Sequence, residues 1–267
     1  MNANTQAVAM EPLLLRQDDG GVVTLTLNRP AQFNSLSRSL MSELQAELDR
    51  IAADAGAHVV VLAGAGKAFC AGHDLKEMRS NPAKAFQRAL FGQCSKLMLT
   101  LVRMPQPVIA RVHGIATAAG CQLVSMCDLA VASDNSRFAV SGVNLGLFCS
   151  TPSVGLARNL GRKQALEMLL TGDFIDAETA LARGLVNRVV PSAQLDAEIK
   201  KLTDSILAKT PVAIKAGKQM FYRQLEMGLD EAYELASEVM ACNMMAEDAQ
   251  EGIDAFVAKR KPQWKGR

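Results

Sequence analysis

His58-Val-Val-Val-Leu-Ala63 runs directly into Gly64-Ala-Gly-Lys-Ala-Phe-Cys-Ala-Gly-His-Asp-Leu-Lys-Glu-Met78. The first part is a short continuous apolar run, as expected of a strand buried on both faces. The second is a glycine-rich loop that leads into a helix. It is not a dinucleotide fingerprint, because Phe69 stands where the third glycine should be, and it is not a phosphate loop, because no Gly-Lys-Ser/Thr follows at the right spacing. Asp74 followed three residues later by Glu77 fits a capping box. That cap places the backbone N–H of His73 at the positive end of a helix dipole.

The arrangement recurs downstream. Val108 to Val112 reads as a strand, Gly114-Ile-Ala-Thr-Ala-Ala-Gly-Cys-Gln-Leu123 as a small-residue loop, and a helix should begin near Ala119 with unpaired N–H donors. Residues without bulk let a ligand approach the backbone. By pattern alone the two loops are either paired anion-binding loops or tight strand–helix turns that only pack. Upstream, Leu13 to Gln17 and Val22 to Asn28 flank Asp19-Gly20-Gly21 as a hairpin, ended by Arg29-Pro30. Ser37 or Ser39 can cap a helix with the stripe Leu40, Leu44, Leu48, Ile51. Helices are expected over about 83–101, on both sides of Gly161 within 151–170, and over 176–183. From Ser192 onward the chain reads as essentially helical. Strands alternating with helices indicate an α/β fold. We divide it into a core over 1–200 and a helical C-terminal region over 201–267.

Composition narrows the function. Net charge is +2 and only 4% of residues are aromatic, with no basic run, so no nucleic-acid surface is expected. Nothing approaches the roughly 18 consecutive apolar residues of a membrane span. Met1 to Met10 shows neither a secretory signal nor the arginine content of a mitochondrial presequence. Six cysteines without a C-x-x-C pair and three scattered histidines form no metal pattern. They read as reduced core thiols in a cytoplasmic protein.

Phe69-Cys-Ala-Gly-His-Asp-Leu-Lys-Glu-Met78 is similar to the F-[CA]-A-G-x-D-[LI]-x-E-[ML] motif of crotonases, the enoyl-CoA hydratase/isomerase superfamily. The stretch from Val112 to Leu123, with Met126-Cys-Asp-Leu-Ala-Val-Ala-Ser133, resembles that family's second motif. Arg29-Pro30 with Phe33-Asn34-Ser35-Leu36, and the tail from Phe256 to Trp264, resemble its two ends. The resemblance implies a spiral of ββα units with a C-terminal helical region, assembled as a homo-trimer or dimer of trimers. It implies an acyl-CoA ligand, no other cofactor and no metal. It also implies an oxyanion hole made by the backbone N–H groups of His73 and Ala119. Phe33, Ser35, Leu36, Ala71, His73, Asp74, Leu75 and Lys76 would lie along the CoA path, joined by Phe256 and Lys259, often from a neighbouring subunit. Lys76 also reads as a solvated helix residue, and Phe256 as core.

Two departures matter. The family's hydratases use two glutamates, one to deprotonate water and one to protonate the α-carbon. Their positions fall on Gln122 and Gly142. A glutamine can orient water but cannot take its proton, and glycine has no side chain. Gly142 should enlarge the pocket, with Ser141, Asn144, Cys149 and Ser150 near it. The His73 side chain should point away from the thioester, and His113 should be structural. Three functions follow: an enzyme of the hydratase/isomerase type with altered acid–base groups, a decarboxylase of malonyl-type CoA esters, or a non-catalytic acyl-CoA-binding protein. A histidine in the A-G-H-D-[LI] context also occurs in family members that decarboxylate branched malonyl-CoA esters.

Overall fold

The computed structural model describes residues 11–267. The expectations placed on Met1 to Met10 lie outside those residues. A six-stranded sheet forms the centre, in the order β1 (Leu14–Asp19), β2 (Val22–Leu27), β3 (Val59–Gly64), β4 (Val108–Val112), β6 (Leu129–Ser133) and β9 (Arg188–Val190). β1 and β2 are antiparallel across the Gly20-Gly21 turn, and every later pair is parallel. A second sheet of β5 (Ile115–Thr117), β7 (Arg137–Ala139) and β8 (Ile175–Asp176) has no counterpart in the sequence reading, which placed residues 115–117 in a loop. Strands this short carry too few residues for alternation to show.

The run Val59–Gly64 is apolar throughout because both faces of the sheet are covered. Side chains alternate across a strand. Val60 and Leu62 join the larger core with Leu44, Leu48, Leu97 and Leu123. Those leucines come from α1 (Arg38–Ala52), α3 (Lys84–Arg103) and α4 (Ala119–Met126). Val59 and Val61 join Ile109, Val131, Leu195, Ile199 and Leu202 in a second cluster on the other face. The last three belong to α8 (Leu195–Leu207), so the division at 200/201 falls inside a helix that covers the sheet.

Ser37, rather than Ser39, caps α1 by accepting from Leu40 N at 3.2 Å. The helix α2 (Leu75–Ser80) is capped by Asp74, which accepts from Lys76 N and Glu77 N. The capping box is only half made, since the Glu77 carboxylate accepts from Arg38 N instead, at 3.0 Å. α5 (Ser150–Asn159) and α6 (Arg162–Thr171) lie between β7 and β8, and α7 (Ala177–Ala182) follows β8. The chain then ends in α9 (Pro211–Gln224), α10 (Leu229–Met244) and α11 (Glu247–Val257). No helix of the described residues is long and apolar enough to cross a membrane.

The C-terminal helices are tied to the sheet by a buried ion pair. Lys218 Nζ donates to Asp128 at 2.7 Å and to the carbonyls of Leu101 and Gln106, both at 2.8 Å. Tyr222 Oη donates to the other Asp128 oxygen at 2.9 Å, and Val108 N donates to the carboxylate at 2.6 Å. Burial pushes the Asp128 carboxyl up and the Lys218 ammonium down, each opposed by the other's charge. Lys218→Met leaves the Asp128 charge and two carbonyls without their partner. The expected loss is about 3–5 kcal/mol of unfolding free energy by urea titration. A loss below about 1 kcal/mol would show the network to be dispensable.

Candidate active site

Two loops at the carboxyl ends of β3 and β4 meet backbone to backbone. Cys70 N donates to Ile115 O at 3.1 Å, and Thr117 N donates to Cys70 O at 3.0 Å. Gly120, in the first turn of α4, lies so close that a Cβ there would be 2.0 Å from the Cys70 oxygen. Gly72 has φ +93, and a Cβ on it would come within 2.9 Å of Ala118 Cβ and 3.3 Å of Ala119 N. Both glycines are therefore required by approach, and Gly72 by conformation as well.

The first loop is also held from the other side. Leu36 N donates to Gly72 O at 2.7 Å and Asp74 N to Leu36 O at 3.2 Å, a parallel bridge that leaves the His73 N–H facing away from Leu36. That N–H has no hydrogen-bond partner among the described residues. Across the gap, Ala118 holds φ 50 and ψ −119, a region that ordinarily takes glycine, so this alanine is strained. The kink starts α4 at Ala119, whose N–H is likewise without a partner among the described residues. Two free donors on loops in direct contact, one at a helix N-terminus, can bind an oxygen that gains negative charge.

Several ties hold this geometry in place. Asn34, fully buried, donates Nδ2 to Ala65 O and Ala68 O at 2.8 Å each and accepts from Arg29 N at 2.9 Å. Arg29 pairs with Asp74 at 2.9 Å and donates to Ser35 O at 2.6 Å. Burial alone would raise the Asp74 carboxyl, but the Arg29 guanidinium and the N–H groups of α2 outweigh it and hold the group low. His113 Nε2 lies 2.9 Å from Gly66 O, so this histidine is a strut between the loops, as expected.

The residues expected along a CoA path separate into two kinds. Phe33, Leu75 and Lys76 are exposed, and Ala71 is half-buried. Leu36 is core, Ser35 is buried, and the Asp74 carboxylate is occupied by Arg29 and α2, so these three shape the loop through the backbone. Phe256, read alternatively as core, is 85% exposed on α11, and Lys259 is exposed just beyond it. Neither makes a side-chain hydrogen bond to the loops in this single chain.

The His73 ring packs edge-on against Phe91 at 5.4 Å, and both ring nitrogens are enclosed without a hydrogen-bond partner. Burial pushes its pKa below the ordinary histidine value, so the ring is neutral near pH 7. Gln122 lies three residues into α4, 3% exposed, with Oε1 enclosed and unpartnered.

Gly142 does not open space, contrary to expectation. A Cβ there would meet Leu147 O at 2.5 Å and Cys149 Sγ at 2.7 Å, and Gly142 N donates to that sulfur at 3.3 Å. Cys149 and the Leu147 carbonyl fill the space that a side chain at 142 would occupy. Ser141 Oγ is bonded to Thr117 Oγ1 at 3.0 Å, while Asn144 and Ser150 are exposed. Burial raises the Cys149 thiol and pushes Cys70 and Cys121 up to about 12, so none supplies a thiolate near neutral pH.

A family model described as enoyl-CoA hydratase/isomerase matches residues 17–267. Enoyl-CoA hydratase domain-containing protein 3, mitochondrial, of Xenopus laevis is 46% identical over 253 residues, 95% of this chain and 86% of the relative. The crystal structure of an enoyl-CoA hydratase from Mycobacterium smegmatis is 56% identical with a TM-score of 0.94, covering 95% of this chain and 99% of that one. The human enoyl-CoA hydratase domain-containing protein 3 is 43% identical with a TM-score of 0.92, covering 95% and 100%. These names correct one expectation. Relatives from Xenopus laevis, mouse and human are named as mitochondrial, which overturns the cytoplasmic reading. That reading rested on reduced core thiols, which record no organelle address. With a match over almost the whole length and a shared architecture, the chain belongs to the enoyl-CoA hydratase/isomerase family of the crotonase superfamily.

Proposed function

We propose that the protein binds an acyl-CoA thioester with its carbonyl oxygen between the N–H groups of His73 and Ala119, and stabilises the enolate form of that thioester. The observation that carries this reading is the pair of unpartnered donors on two loops that touch at Gly72 and Ala118. Each such donor is typically worth roughly 2.7–4 kcal/mol when charge develops on the oxygen. The dipole of α4 adds to the same end.

Hydration is not the reaction this pocket supports. It needs a group to take a proton from water and another to deliver one to the α-carbon. Gln122 can do neither, and position 142 has neither a side chain nor room for one. Loss of CO₂ from a malonyl-type thioester forms the enolate with no base, because the electron pair of the breaking C–C bond becomes that of the enolate. Among family reactions it demands least of the residues present. The exposed apolar side chains Leu229, Tyr233, Met240, Met245 and Phe256 on and beside α10 and α11 fit a surface for self-association.

Three outcomes test the reading. Purified protein should bind CoA thioesters by calorimetry yet hydrate crotonyl-CoA at least about 10²-fold more slowly than a hydratase with both glutamates. Thioesters that fail to bind, or hydration at a comparable rate, would sink it. Gly142→Ala should destabilise the fold by about 1–3 kcal/mol, because the added carbon collides with the Leu147 carbonyl and Cys149. A neutral effect on the urea midpoint would mean that the pocket is open there after all.

The third concerns His73. Its folded pKa is depressed, so below about pH 6.5 the unfolded chain takes up a proton that the folded chain refuses, and stability falls with pH until the folded value is reached. His73→Leu should flatten that loss below about pH 6.5 in urea titrations. An unchanged slope would place the ring in solvent.

A further inference from the structure

Gln122 sits three residues after Ala119, on the same face of α4 and about 4.5 Å further along the axis. Helical side chains lean toward the N-terminus, so its amide reaches back over the turn that presents the Ala119 N–H. A thioester oxygen held by that N–H puts the acyl chain, two bonds beyond its carbonyl carbon, beneath the amide. The amide is ordered in one sense by its surroundings. Oε1 is enclosed without a partner, and the reverse placement would enclose an NH₂ and orphan two donors in place of one acceptor. Nε2 is therefore the end turned to the acyl chain, and it has no hydrogen-bond partner among the described residues.

From this we infer that Gln122 selects acyl groups carrying an acceptor-only oxygen on the third carbon of the chain, a β-ketone or a malonyl-type carboxylate. The inference rests on the thioester reading above. An N–H donor satisfies either oxygen. A carboxylate at this position would repel both, and would drive out the anionic one most strongly. A saturated chain leaves Nε2 unpaired in an enclosed site, which is how a hydrogen-bonding pocket rejects a ligand that lacks the group. A β-hydroxyl can accept from Nε2, but its own proton finds no acceptor, because Oε1 faces inward. Cys149 and the Leu147 carbonyl close the side of the pocket near Gly142, leaving Gln122 to recognise the third carbon.

The test is calorimetric binding of carbadethia analogues of acetoacetyl-, malonyl- and butyryl-CoA, the malonyl analogue carrying a sulfonate in place of its carboxylate so that it cannot lose CO₂. The acetoacetyl and malonyl analogues should each bind about 10-fold more tightly than the butyryl analogue. Gln122→Met should bring both ratios to near one, and Gln122→Glu should lower the malonyl ratio most. If Gln122→Met does not fold, Gln122→Asn, which retracts the amide by one methylene, should reduce the ratios. A preference for only one oxygenated analogue identifies the source of the oxygen, ketone or carboxylate, and supports the inference provided Gln122→Met abolishes it. Equal binding of all three, or a preference that survives Gln122→Met, overturns the inference alone. Failure of all three to bind overturns the thioester reading with it.

Discussion

The closeness of the Cys70 carbonyl to the first turn of α4 governs the rest of the site. With so little space between them, the residue at 120 can have no side chain, and the loop after β3 must pair with β5 rather than fold back on its own strand. The same approach presses Gly72 against Ala118 and forces the strained turn that starts α4 one residue later. The free N–H groups are a product of this crowding. They are left over where two backbones are brought together too tightly to satisfy each other. Donors fixed in this way need no reorganisation to meet a negatively charged oxygen.

Around that contact the protein spends polar residues on rigidity. Asn34, Arg29 with Asp74, and His113 each tie the first loop to a different part of the chain. Arg29 and Asp74 read from sequence as a strand end and a helix cap, and both descriptions hold, yet their joint task is to clamp two segments 45 residues apart. The supporting shell is thus built from the hairpin and its trailing turn, while the donors come from the loops after β3 and β4. The placement of the donors thus depends on side chains in other parts of the chain.

Much of this was legible. The β3 run, the α1 stripe, the two small-residue loops and the start of α4 follow from periodicity and from glycine placement. The three short strands of the second sheet did not, because pairs of two or three residues are set by partners rather than by local pattern. Glycine at 142 was misleading for a related reason. A missing side chain suggests a cavity, whereas here the carbonyl of Leu147 and the sulfur of Cys149 have moved in. The half-made capping box at Asp74 is a third instance, since Arg38 N competes for Glu77 from the neighbouring helix. In each case a tertiary contact decided what the local sequence left open.

Placing a side chain at 142 is not a single step for this chain, since the turn at 146–149 must first vacate the volume and Cys149 must shrink or turn away. Each of those changes alone would leave a hole or a loosened turn. Position 122 carries no such barrier, because glutamate and glutamine share a shape. Positions 122 and 142 are therefore unequal as places for an acid: glutamate has the shape of the glutamine at 122, while 142 is closed off by one backbone carbonyl and one sulfur atom.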